Sequence, residues 1–265
     1  MIVSGPFDPI TNNEISWLKL QHHLLQEDIW INVSKEGNTD IHTRMHMVKL
    51  AIKPYRYMHV CMNETDVSIP GDLVLEEKKV REGYFKDGAY GIQTYLIEHN
   101  LYLDNVVEAM CKPHRAIHSK GVADTCVHLA RIHHLDVSLA YRMGMLHDIT
   151  KRFSDEEGRK IISLWKPEWL DISPKVWHSY TAVIWLKQNM NLHDEKILHA
   201  IAHHTLGDGH GAYDHLLYIA DKIEPNRGYD TTKEMKCAEK NLSEAAAFIK
   251  EESRAYIWEK EGVHV

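Results

Sequence analysis

The sequence contains no run of about 18 apolar residues, the length a helix needs to cross a bilayer, and this excludes a membrane-embedded enzyme. It also lacks an excess of positive charge. Lys and Arg number 31 against 38 Asp and Glu, a net charge of −7, so no broad basic field draws the protein to DNA or RNA. A polyanionic partner therefore needs a local basic site. Met1 to Pro6 lacks the basic and apolar regions of a signal peptide, and Cys61, Cys111, Cys126 and Cys237 form neither a CxxC pair nor a spaced framework. A reduced, cytoplasmic protein is expected. Repeats, low-complexity tracts and flexible linkers are missing as well. What is there is an ordinary globular composition, 44% hydrophobic and 26% charged over 265 residues, together with 20 histidines. Twelve of these histidines fall between Lys112 and His210, and imidazole is the commonest metal-binding side chain.

The hydrophobic periodicity changes once along the chain. Met1 to Val3 forms a short β-branched run, Ile15, Leu18, Leu24 and Leu25 follow at helical spacing, and the order continues as strand (28–34), helix (39–52) and strand (57–62). Such β-α-β-α-β alternation predicts a small parallel sheet with crossover helices, half of a Rossmann-like domain, closed by a helical hairpin near 73–82 and 90–99. From Leu103 the strand signal disappears. Helices are expected near 104–110, 114–134, 137–147, 155–165, 174–189, 194–204, 213–223 and 231–258. The expectation is an α+β protein, with a small α/β domain over residues 1–102 and an all-α bundle over 103–265.

Within the helical half, polar residues sit on apolar stripes. His118 shares one with Val122, Cys126 and Leu129; His178 with Ala182, Trp185 and Leu186; His204 with Ile197 and Ile201. His147 and Asp148 end an apolar helix, and Asp221 lies inside Leu216 to Ile223, where a lone carboxylate carries a large desolvation cost unless paired or metal-bound. Taken singly, each histidine reads more readily as a hydrogen-bonded core residue than as a ligand. As a set, four His and two Asp without thiolate suit Fe, Mn, Zn or Ni. Asp148 is placed to bridge two ions, and a pair about 3.5–4 Å apart activates a water for attack on a phosphoryl group. Lys151 stands three and four residues past the members of the His-Asp pair, on the same helical face, and Arg227 just past a proline-ended helix, both suited to phosphate oxygens, with Arg115, Thr205 and Gly207 shaping the same pocket. In the doubled pair, His204 is the inward residue, while His203 groups with the polar His199 and Lys196.

The order His118, His147-Asp148, Asp221 resembles the HD-domain metal-dependent phosphohydrolases, and especially their YqeK branch of symmetrical bis(5'-nucleosyl)-tetraphosphatases. The resemblance runs from about Cys111 to Tyr229. It includes Arg115-Ala-Ile-His118, Gly144-Met-Leu-His-Asp-Ile-Thr-Lys151, Ala202-His-His-Thr-Leu-Gly207 and Ala220-Asp-Lys-Ile-Glu-Pro-Asn-Arg227. It implies an all-helical fold, a dinuclear centre usually associated with iron, and hydrolysis of diadenosine tetraphosphate to two ADP. The partner expected is a small nucleotide, with no nucleic acid and no membrane; a homo-oligomer is compatible with this reading.

The front segment, Ser4-Gly-Pro-Phe-Asp-Pro-Ile-Thr-Asn-Asn-Glu14, resembles the phosphate loop of the nicotinate-nucleotide and phosphopantetheine adenylyltransferases. Asn13 replaces the glycine of their pattern and Glu14 the second histidine, which donates to nucleotide phosphates; a glutamate repels them. Arg44 to Ile52 and Tyr95 to Tyr102 resemble further pieces of the nicotinate-nucleotide enzyme, but much between them is missing. A shortened, inactive adenylyltransferase-like domain is expected.

Overall fold

The structure, a computed structural model, describes residues 1–63 and 67–261, with side chains up to position 254. It forms two compact units, one of Met1–Asn105 with Gln188–Asn191, the other of Val106–Lys187 with the chain from Leu192 onward. In the first, β1 (Ile2–Gly5), α1 (Asn12–Leu25), β2 (Ile29–Val33), α2 (Ile41–Ile52) and β3 (Met58–Cys61) follow one another, and the strands pair in parallel in the order β1-β2-β3. Val3 pairs with Ile31 and Ile31 with Val60. The two-residue period of a strand puts Val3, Ile29, Ile31 and Val33 into the core and leaves Trp30 42% exposed. Beyond β3, Ser4 bridges Ser68 in parallel, a pairing at the free edge of β1 that hydropathy does not announce. The expected helical hairpin is α3 (Gly71–Arg81) followed by a shorter α4 (Gln93–Glu98).

Glu14 does not face solvent. It is fully buried and completes a capping box at the start of α1, accepting from the Thr11 amide at 2.7 Å while the Thr11 hydroxyl accepts from the Glu14 amide. Arg44, also buried, donates to the carbonyl oxygens of Pro6, Ser34, Glu36 and Thr39. Asp8 accepts from the Asn38 and Thr39 amides and from the Tyr102 hydroxyl. The charged residues of the front loop thus hold the loop itself together.

The second unit is helical throughout its described residues. The division from the first falls inside α5 (Leu103–Met110). Then come α6 (Pro113–Ile132), α7 (Val137–Leu146), α8 (Asp155–Trp165), α9 (Trp177–Trp185), α10 (Glu195–His203), α11 (Ala212–Ile223), α12 (Thr232–Lys240) and α13 (Leu242–Glu261). The segment expected as one helix over 174–189 is a 3-10 turn, Pro174–Val176, then α9, then a π-helical turn, Leu186–Met190. The expected helix over 231–258 breaks at Asn241, whose extended backbone stops α12 and whose side chain accepts from the Ser243 and Glu244 amides to start α13. Helix α6 lies along α7, and α11 packs against α6, α7, α10 and α13, so the core gathers around α11. Gly144 lets α6 and α7 touch, since a Cβ there would sit 2.5 Å from the Ala123 Cα. Among the described residues no helix is long and apolar enough to cross a membrane.

Candidate metal centre

Helix α6 carries His118 inward, the end of α7 presents His147 and Asp148, α9 supplies His178, the end of α10 supplies His204, and α11 supplies Asp221. All six are buried, His147 completely. Their rings meet edge to face, His118 with His147 at 5.3 Å, His147 with His204 at 5.1 Å and His204 with His178 at 5.2 Å between centroids.

Hydrogen bonds settle which nitrogen each ring turns to the centre. The Nδ1 atoms of His147, His178 and His204 donate to the carbonyl oxygens of Gly144, Lys175 and Ile201, at 2.7, 3.1 and 2.7 Å. A carbonyl only accepts, so Nδ1 carries the proton and the Nε2 lone pair points inward. His118 reaches the same state through Glu224, whose carboxylate takes Nδ1 at 3.0 Å while Nε2 lies 3.1 Å from Asp221 Oδ1. Glu224 is itself buried and fixed by the Asn226 amide and side chain, and it lies so close to α6 that a Cβ at Gly121 would fall 2.3 Å from its Oε2. Glu224 has no role in the sequence reading.

Asp148 stands between two groups of donors. His118, His147 and Asp148 form one triad and Asp148, His178 and His204 another, each offering ligand atoms within 4.8 Å of one another. Asp148 Oδ1 is 3.3 Å from His178 Nε2 and 3.6 Å from His204 Nε2, and Oδ2 is 3.8 Å from His147 Nε2. Asp221 Oδ1 is 3.7 Å from the same His147 nitrogen. That nitrogen is buried without a hydrogen-bond partner, a costly state for an imidazole unless something else takes its lone pair. The donors fit a divalent metal, being nitrogen and carboxylate oxygen converging in a buried place with one lone pair unclaimed.

The charges agree. Burial works to raise the Asp148 pKa, but the neighbouring imidazoles of His147, His204 and His178 hold it well below the usual carboxylate range. Asp221 is likewise held low against its burial by Lys222, His118 and His147. Burial, with the neighbouring His204 imidazole, pushes His178 down to about 3, which leaves it neutral.

The remaining expected residues divide. Arg115 donates to Asp148 Oδ2 at 3.1 Å and stays partly exposed. Lys151 lies 3.0–3.1 Å from the ring nitrogens of His178, carried there by turns after α7 rather than by a continuing helix; burial, with Arg115, lowers its pKa against the pull of Asp148. The Thr205 hydroxyl lies 3.1 Å from His178 Nε2 and 2.6 Å from the Ser179 hydroxyl. Arg227 gives its fork to Asp221, donating to Oδ1 at 2.7 Å and to the main-chain oxygen at 2.8 Å, instead of standing free. Gly207 serves the backbone: its φ of +59° ends the turn after α10, and a Cβ there would meet the Tyr218 ring at 2.6 Å. His203 pairs with Asp208 and lies outside the two triads.

Residues 115–226 match the HD domain family. A Bacillus subtilis protein named "Bis(5'-nucleosyl)-tetraphosphatase, symmetrical" is 34% identical over 143 residues, 52% of this chain and 77% of that protein. A Mycoplasma genitalium protein named "Probable nicotinate-nucleotide adenylyltransferase/Ap4A hydrolase" is 28% identical over 211 residues, 73% of this chain and 58% of that protein. So long an alignment extends beyond the helical unit into the front one. Among solved structures, a Clostridium acetobutylicum protein described as a predicted HD superfamily hydrolase involved in NAD metabolism superposes with a TM-score of 0.55 at 26% identity, covering 60% of this chain and 86% of that one. With its paired His/Asp triads in the matching region, this chain belongs to the HD-domain hydrolases, in the family of the symmetrical bis(5'-nucleosyl)-tetraphosphatases.

Proposed function

We propose that this chain hydrolyses dinucleoside polyphosphates, cutting diadenosine tetraphosphate into two ADP, at a centre of two metal ions, iron by preference, held by His118, His147, Asp148, His178, His204 and Asp221. The observation that carries this reading is the sharing of Asp148 by two buried triads. Metal bound there supplies an activated water and neutralises developing phosphoryl charge.

The protein's own groups do the rest. Asp148 ties the two triads together, and Arg115 fixes its carboxylate while keeping an exposed side toward incoming phosphate. Beside His178 lies a cavity of about 180 Å³ lined by Lys151, Phe153, Ser154, Lys175, Trp177 and His178. The ammonium groups of Lys151 and Lys175 suit substrate phosphate oxygens beside His178, and Phe153 and Trp177 give the cavity an aromatic wall. Arg227 and Lys222 hold Asp221 from opposite carboxylate oxygens and so fix its direction. Thr205 can donate to a phosphate oxygen from its place at His178. The division of labour follows the two domains, hydrolysis in 103–265 and no transfer chemistry in 1–102.

Full-length protein loaded in turn with iron, manganese, zinc or nickel, and offered dinucleoside polyphosphates beside nucleoside mono-, di- and triphosphates, tests this. Metal-dependent turnover of the dinucleotides is the expected result. Preference for a mononucleotide overturns the substrate assignment.

A further inference from the structure

A second histidine cluster lies on the outer face of α10, apart from the buried triads. His199 and His203 are one helical turn apart, and their rings lie 4.2 Å apart between centroids. The two Nδ1 atoms face different carboxylates. His199 Nδ1 donates to Asp214 Oδ1 at 2.8 Å, and His203 Nδ1 to Asp208 Oδ1 at 2.7 Å. Asp214 is buried and doubly fixed, since its other oxygen accepts from the Gly211 amide at 2.7 Å at the start of α11. The nearby Lys196 turns its ammonium over the Tyr213 ring.

This arrangement has a chemical consequence. A carboxylate accepts from Nδ1–H, so it selects the tautomer whose Nε2 lone pair is free, raises the basicity of that nitrogen and holds the ring in place. Here it happens twice on one helix face, at the i, i+4 spacing that lets two imidazoles share one ion. The His199 side chain is 54% exposed and that of His203 28%, so an ion can approach from solvent and complete its shell with water. Surface histidines without such partners spin freely and lose entropy on chelation; these are already oriented.

We propose that His199 and His203 form a solvent-facing binding site for one borderline divalent transition metal, of the zinc, nickel or copper(II) class, with Asp214 and Asp208 as the carboxylates that orient the two rings. The ligands are Nε2 of each imidazole, and the site is separate in residues from the buried centre. Oxygen-preferring magnesium or calcium finds no suitable donor set there.

Zinc is the probe. The full chain is dialysed to equilibrium against zinc, and bound metal per chain is compared with that of His199→Gln and His203→Gln, which leave every residue of the buried triads in place. Each variant is expected to bind one zinc fewer than the parent. Equal stoichiometry in parent and variants overturns the site, whatever the buried centre holds. Should either variant fold poorly, imidazole nitrogen resonances of the parent decide instead: zinc is expected to shift Nε2 of His199 and His203 together, and shifts confined to His118, His147, His178 and His204 refute the proposal.

Discussion

Asp148 is the residue on which both triads depend, and removing it has a different signature from removing any one histidine. Asp148→Ala is expected to lose both ions, whereas His178→Ala or His204→Ala is expected to lose chiefly one. Metal content per chain reads this directly, and two retained ions in Asp148→Ala would contradict the bridging role. A second prediction concerns groups that touch no ion. Glu224→Gln weakens the acceptor that fixes His118, and Arg227→Ala frees Asp221; each is expected to lower metal affinity by about 10–100-fold while the ligand set stays intact. Competition with a chelator measures it, and unchanged affinity in both would leave Glu224 and Arg227 as mere packing. His118, His178 and His204 were legible because a polar side chain on an apolar helical stripe has nowhere to go but inward, and His147, Asp148 and Asp221 because they end or interrupt apolar helical runs. Glu224 was not, because it lies just past the end of α11, where no stripe continues. Its traces in the sequence are its place in the run Ala220 to Arg227 and Gly121, a glycine in mid-helix that keeps space for a carboxylate arriving from 103 residues further on.

At the scale of elements, the alternation of strand and helix was readable from period alone, and so were most helices of the second unit. Two misreadings have local causes. Asn241 sits in Asn-Leu-Ser-Glu, an N-cap signature embedded in a run otherwise helical in pattern, so one expected helix is two. Lys151 was placed by helical spacing but arrives by turns. The start of α1 carries a pH-dependent element as well. Burial, and then the Glu77 charge, raises the Glu14 pKa well above its ordinary value, and burial brings Glu77 up to about 7. A folded-state pKa above the unfolded one means that the folded form binds more protons, so this pair supports the front unit at low pH and that support falls as pH rises from about 4.5 through 7. Unfolding of the full chain followed by tryptophan fluorescence between pH 5 and 8 is expected to show the front unit losing stability with rising pH, and Glu77→Gln to flatten the slope. A front unit that gains stability over that range would refute the pairing.

For the whole molecule, the two units differ in what their polar residues are free to do. In the second, buried imidazole nitrogens and carboxylate oxygens converge on one place and the His147 Nε2 lone pair is left unclaimed; in the first, Asp8 and Arg44 are taken up by neighbouring backbone and side chains, and Glu14 spends one oxygen on its capping box and keeps the other buried without a hydrogen-bond partner. The full chain is accordingly expected to release no pyrophosphate from ATP with nicotinate mononucleotide or phosphopantetheine as acceptor, and Glu14→His alone is not expected to restore it. Robust release from the native protein would contradict this. Hydrolysis remains the activity at stake, and the bond that breaks tests it most directly. Metal-loaded protein given diadenosine tetraphosphate in oxygen-18 water is predicted to yield ADP as the sole nucleotide product, with label in one of the two ADP molecules formed per turnover; ATP together with AMP, or no turnover at all, would contradict the account.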